Sequence, residues 1–141
     1  MKAVVIGCGR VGSAVARGLA GEGWDVTVID ESEDALARLG AGWRGGFVVG
    51  HGMDTTVLES AGATEADAAV ISTNGDNTNI VIGQVLQKRY EIGTVVVRVL
   101  DPARAQFYAE RGMRTVCPTQ TAITVLLDTV RAITPQPTGA S

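Results

Sequence analysis

The chain has 141 residues and a formal net charge of −3, a size that predicts one domain burying roughly 68–70% of its unfolded surface. Hydrophobic residues make up 45% and aromatics 4%, which predicts a Val, Ile, Leu and Ala core of the kind found in buried parallel sheets. The mild acidity leaves no footprint for nucleic acid or an anionic membrane surface, and no apolar run approaches the ~20 residues of a membrane span.

Residues 2–7 read as the first strand, and "MKAVVIGCG" passes straight from it into a glycine loop, unlike a signal peptide. The stretch "VVIGCGRVGSAVARGL" at 4–19 joins that strand to a helix at 11–22 through Gly7, Gly9 and Gly12. A second strand at 25–30, "DVTVID", ends on Asp30, 18 residues after Gly12. In this pattern the first glycine makes the tight turn, the second lets backbone approach a pyrophosphate and the third lets helix and strand pack closely. The free N–H groups and positive end of the helix then receive phosphates. Asp30 would accept from the hydroxyls of an adenosine ribose, and with Glu31 beside it a 2′-phosphate is disfavoured. Arg10, between the second and third glycines, can fold over phosphates and bind them bidentately; Val11 follows it in the loop. Cys8 reads either as a small packed residue or as a reactive thiol.

A helix near 32–39 leads to a third strand at 46–50, which ends in Gly50, His51, Gly52 and Met53. Ligands in open α/β sheets bind outside the carboxyl ends of the strands. The two glycines would admit an adenine edge and Met53 would cover the ring. His51 is the one histidine of the chain and is either a nucleotide contact or an exposed loop residue. Asp54 is a good N-cap for a helix at 54–61.

The fourth strand, 68–73, runs into "STNGDNTN", where Thr73, Asn74 and Gly75, with Ser72, would face a second ribose or terminal phosphates. The same loop also reads as a lead-in to an Asp76 or Asn77 cap on the helix at 77–90. The fifth strand, 94–99, carries Arg98 among apolar residues, costly to bury without a partner; a phosphate or a carboxylate across the crevice would serve. Asp101–Pro102 starts a helix at 101–111, a sixth strand spans 114–117, and a last helix at 119–133 carries a wide apolar face of Ile123, Leu126, Leu127, Val130 and Ile133. Gly40, Gly62 and Gly112 stand where helix C-terminal glycines belong.

Six strands alternating with helices predict a Rossmann-like, doubly wound parallel sheet with order 3-2-1-4-5-6 and helices on both faces. Residues 1–134 are expected to form one nucleotide-binding domain and 135–141 a linker or frayed tail. Cys8 and Cys117 have neither C-x-x-C nor metal spacing, which fits a reduced, cytoplasmic protein. Catalytic groups are missing: there is no Tyr-x-x-x-Lys, no G-x-S-x-G and no P-loop lysine. The expectation is a binding protein, with a small NAD-dependent oxidoreductase, or its coenzyme domain, as the alternative.

Beyond the glycine loop, the stretches "VTVIDESEDAL", "ESAGATEADAAVISTNGDNTN" and "VVVRVLDPARAQFYAERGMRTVCP" resemble the N-terminal nucleotide-binding domain of Trk/Ktr-type potassium-uptake regulatory subunits, the RCK family. That resemblance implies a cytoplasmic regulatory subunit at the inner face of the membrane, binding NAD(H) or ATP/ADP and gating a membrane potassium channel or transporter subunit. It implies Gly7, Gly9, Arg10 and Gly12 at phosphates, Asp30 at the ribose and Arg98 on the crevice side. It also implies homodimers that commonly assemble into rings, with the last helix crossing to a partner or packing on its own domain. Relatives commonly have Asp where His51 stands, and some have an acid just after the proline matching Pro118, where this chain has Thr119; no metal site is therefore expected. The second regulatory domain usual in the family lies outside these 141 residues, as in a fragment ending in its linker or a single-domain version.

Overall fold

In the computed structural model, which describes residues 1–135, six strands form one parallel sheet. They are β1 (Lys2–Ile6), β2 (Asp25–Asp30), β3 (Gly46–Val49), β4 (Ala68–Ile71), β5 (Thr94–Arg98) and β6 (Arg114–Val116). The order is β3-β2-β1-β4-β5-β6, as expected from the alternation of apolar runs and helices. Side chains of a strand alternate between faces, so β1 sends Ala3 and Val5 to one core and Val4 and Ile6 to the other. The first core adds Val26, Val28, Ala16, Ala35 and Leu39; the second adds Ile29, Leu58, Ile71, Ile82, Leu86 and Val97.

Five α-helices cover the sheet or extend from it: α1 (Arg10–Gly21), α2 (Thr55–Ser60), α3 (Asp76–Lys88), α4 (Pro102–Ala109) and α5 (Pro118–Ile133). Asp54 caps α2 by accepting from the Thr56 N–H, and Asp101 caps α4 by accepting from that of Ala103. Gly40, Gly62 and Gly112 all have φ between 86° and 90°, the left-handed region that favours glycine.

Two expectations need correction. The segment expected as a helix near 32–39 is a 3-10 helix, Glu33–Leu39, which buries only Ala35 and Leu39 before Gly40 ends it. The expected cap on the helix after β4 is absent: the N-cap is Gly75, without a side-chain bond, and Asp76 is the first helical residue. Its carboxylate accepts instead from the N–H groups of Leu100 and Asp101, at 2.8 and 3.1 Å. The proposed tail lies outside the described residues except Pro135.

The register sets the level of the strand ends. Ile6 stands opposite both Ile29 and Ile71, and Ile71 opposite Val97. Asp30 and Arg98 therefore each stand one residue beyond a common row, at the carboxyl edge of the sheet. No described helix is long and apolar enough to cross a membrane.

Candidate functional site

Above that row lies an open cleft of about 650 Å3, within the range of small-molecule sites. It is lined by the loop after β1 and by the ends of β2, β3, β4 and β5. Gly7 makes the turn at φ 100°, its N–H donating to the Ile29 carbonyl at 2.8 Å. A Cβ there would come within 2.7 Å of the Ser72 backbone, and a Cβ on Gly12 would drive into the Gly7 carbonyl oxygen. Gly9 differs: nothing lies within 4 Å of a Cβ built there. Packing thus requires glycine at positions 7 and 12, whereas Gly9, which lines the cleft, has open space beside it. Gly9 is also the N-cap of α1 and makes no side-chain cap bond, so the first N–H groups of α1 open on the cleft.

Asp30 bridges two loops. Its Oδ2 accepts from the Cys8 N–H at 2.8 Å and its Oδ1 from the Ser32 N–H at 2.9 Å. Each carboxylate oxygen keeps lone-pair capacity for a further donor. Cys8 is fully buried and its Sγ donates to the Ala35 carbonyl at 3.3 Å. Burial above all, then the Asp30 carboxylate, pushes its thiol pKa up, which marks Cys8 as a packed residue rather than a reactive one.

Arg38 lines the same wall and donates from Nη1 to the Cys8 carbonyl at 3.2 Å. Sequence reasoning missed it, because no motif spacing points to the last turn of a 3-10 helix. Arg10 and Val11 stand exposed at the mouth.

At the end of β3, His51 and Glu31 form a rim pair, Nε2 to Oε1 at 3.2 Å. His51 Nδ1 accepts from the Met53 N–H at 3.1 Å, which puts the ring proton on Nε2, facing Glu31. Gly50 and Gly52 line the cleft, but each has an internal reason to be glycine. A Cβ on Gly50 would meet Val57, and one on Gly52 would lie 2.8 Å from both Ile6 and Ile82. Met53, expected to cover a base, is not among the lining residues and is about half exposed. It lies in the turn that returns the Asp54 N–H to the His51 carbonyl.

The other half of the cleft is made by Ser72, Thr73, Asn74, Gly75, Thr78 and Arg98. Arg98 Nη2 donates to the Thr73 carbonyl at 2.7 Å. Two buried polar atoms there, Ser72 Oγ and Arg98 Nε, have no partner among the described residues. Buried donors are rarely left so, because each forfeits a hydrogen bond it would make in water. Asn79, also missed, is buried behind this wall; the signal was a polar residue on the apolar face of α3, beside Ile80 and Ile82. Among the described residues no His, Cys, Asp and Glu gather in a group able to hold a metal ion.

Comparisons with known proteins bear on the family and the fold. Residues 3–119 match the model of the TrkA-N domain. A Streptomyces coelicolor protein described as Trk system potassium uptake protein TrkA is 40% identical over 116 residues, 82% of this chain and 52% of its own. The chain thus spans about half the length of that relative. Among solved structures, the Shewanella denitrificans Kef CTD in AMP-bound form superposes with a TM-score of 0.80 at 22% identity, over 96% of this chain and 84% of that one. GsuK bound to ADP gives 0.77 at 21% identity over 93% of this chain and 34% of that one. The GsuK channel bound to NAD gives 0.75 at 22% over 90% and 22%. At such identities the structural likenesses establish the fold.

Proposed function

The chain belongs to the TrkA-N domain family, and from that premise we propose that it is the nucleotide-sensing part of a potassium-uptake regulator. In this reading residues 1–134 are a domain that holds an adenine nucleotide, NAD(H) or ATP/ADP, in the cleft above the sheet. Gly7, Gly9 and Gly12 hold phosphates with the N-terminus of α1, and Asp30 holds the ribose. Arg10 and Arg98, with Arg38 on the same cleft, answer phosphate charge. Glu31 next to Asp30 disfavours a 2′-phosphate, so NADPH is excluded.

The observation that carries this reading is the pair of buried, unpartnered donors, Ser72 Oγ and Arg98 Nε, on a cleft that also receives the uncapped start of α1. Both residues line the cleft, and a small turn of either side chain on binding would bring its donor to the acceptor oxygens of a ligand. Further support comes from relatives described as potassium uptake proteins and from structural neighbours described as bound to AMP, ADP or NAD.

The partner is a membrane-embedded potassium channel or transporter subunit, met at the cytoplasmic face of the membrane. Regulation is a population shift: a nucleotide moves the assembly toward whichever state binds it better. The protein acts without catalysis. It works as a homodimer and in higher rings, with α5 crossing to the partner. No residue of α5 is buried, and its apolar residues run from 43% exposed at Ile123 to 78% at Ile133.

Calorimetric titration of the purified protein with NADH, NAD, ADP, ATP and NADPH tests the core of the proposal. Tight binding of an adenine nucleotide with NADPH excluded supports it. Binding of none, or equal binding of NADPH, overturns it.

A further inference from the structure

Asn79 sits at the start of α3, 1% exposed, and its amide is used to the last position. Oδ1 accepts from the Thr73 N–H at 3.1 Å and from the Thr73 hydroxyl. Nδ2 donates to the Thr73 carbonyl at 3.0 Å and to the Arg98 carbonyl at 2.9 Å. An amide offers two donors and an acceptor with two lone pairs, so this side chain is saturated within the protein. The network also settles which way the amide faces. The Thr73 N–H needs an acceptor, and the two carbonyls need donors.

Both residues that Asn79 holds line the cleft. The Thr73 carbonyl is shared: Arg98 Nη2 donates to it as well, at 2.7 Å. That bond pins one edge of the guanidinium and leaves Nε buried and unpartnered. An arginine has several flexible torsions, and holding it in one rotamer needs a fixed acceptor. Asn79 fixes that acceptor from behind and, through the Arg98 carbonyl, also fixes the backbone from which the arginine starts.

The adenosine half is tied by different bonds. Asp30 holds Cys8 and Ser32, and Glu31 meets His51; Asn79 touches none of these. We propose that Asn79 is a positioning residue for the β4–β5 half of the cleft: without contacting a ligand, it sets Thr73 and Arg98 for whatever extends beyond the first phosphate. The inference rests on the nucleotide reading above and adds which residue governs the distal half of the ligand.

The test compares AMP, which carries one phosphate, with ATP and NADH, titrated into wild type and Asn79→Ala while thermal unfolding is recorded. AMP affinity is expected to stay within about twofold while ATP and NADH weaken about tenfold or more, an effect carried by one lost network. A double-mutant cycle with Arg98→Met supplies the second readout. If Asn79 acts through Arg98, removing both costs little more than removing Arg98 alone; independent, additive losses overturn the proposal. Thr73→Val deletes the hydroxyl bond to Oδ1, together with the one the hydroxyl accepts from the Gly75 N–H at 3.4 Å, and should give a weaker loss with the same ligand selectivity, which keeps the test open if Asn79→Ala does not fold. Uniform weakening of all three ligands, or none, in a folded variant overturns the positioning role alone. Wild type binding none of the three overturns the nucleotide reading and the inference with it.

Discussion

The Asp30 carboxylate accepts the Cys8 N–H at 2.8 Å, so the acid that ends β2 and the glycine loop that follows β1 are one structural unit. Asp30→Ala should therefore act twice. It leaves the Cys8 and Ser32 amides without their acceptor, at a cost of about 1–3 kcal/mol, and it removes the ribose contact. Denaturant unfolding and calorimetric titration should both respond. Lost affinity at unchanged stability would show that the bond to Cys8 contributes nothing to the fold.

The glycines of the loop should separate cleanly. Gly12→Ala drives a methyl into the Gly7 carbonyl and should cost about 1–3 kcal/mol through a shifted loop. Gly9→Ala meets open space and has a φ of −83°, accessible to alanine. Its stability should stay within about 1 kcal/mol of wild type. Nucleotide affinity should nevertheless fall about tenfold or more, because the methyl occupies the approach to a pyrophosphate. Unfolding midpoints and titrations of the two variants provide the check.

Arg10→Ala should weaken ATP more than ADP, since a terminal phosphate adds charge where this guanidinium can reach it. Competition titrations at fixed ionic strength give the ratio. Equal losses for the two nucleotides would remove Arg10 from the reading of phosphate number.

The two thiols should differ in reactivity, and Cys8 should couple stability to pH. Cys8 is fully buried, and its pKa is raised by burial and then by Asp30; Cys117 is half-buried at the start of α5. A disulfide-exchange reagent should label Cys117 quickly in the native protein and Cys8 only on opening of the fold. A raised folded pKa means that the folded state holds its proton longer. The stability from a neutral Cys8 is therefore complete below the ordinary thiol value of about 8.5 and lost as pH rises through the folded value. Replacing Cys8 with Ala should flatten the alkaline limb of the stability curve, and an unchanged limb would argue against this assignment.

Leu126 on α5 is 66% exposed, so Leu126→Asp should leave the stability of an isolated subunit within about 0.5 kcal/mol. If α5 pairs two copies, the same change should convert dimers to monomers in sedimentation velocity. A wild-type monomer at every concentration would remove the homodimer from the functional reading.

The sheet was legible in the sequence because its signals are local. Apolar runs of parallel strands, glycines at fixed offsets and Asp54 and Asp101 at helix starts each report on neighbours a few residues away. What escaped was held across elements. Asp76 looks like a cap by position but bonds Leu100 and Asp101, 24 and 25 residues on. Asn79 looks like an interruption of an apolar face but joins two strand ends. Arg38 becomes visible only once the 3-10 helix folds against the loop at Cys8. Gly50 and Gly52 line the cleft as read, but the place of a Cβ at each is also filled by side chains of α2, β1 and α3, a packing need that no local spacing shows.

β1 has β2 on one side and β4 on the other, so the sheet consists of two halves, β1-β2-β3 and β4-β5-β6. Among the described residues one seam of strand pairing joins them, from Ala3 opposite Ala68 to Ile6 opposite Ile71. The cleft straddles the open end of that seam, with Asp30 on one flank and Thr73 on the other. Anything gripping both flanks acts as a rivet through two plates. An occupied cleft would add a tie at the open end of the seam to the core that already packs across it.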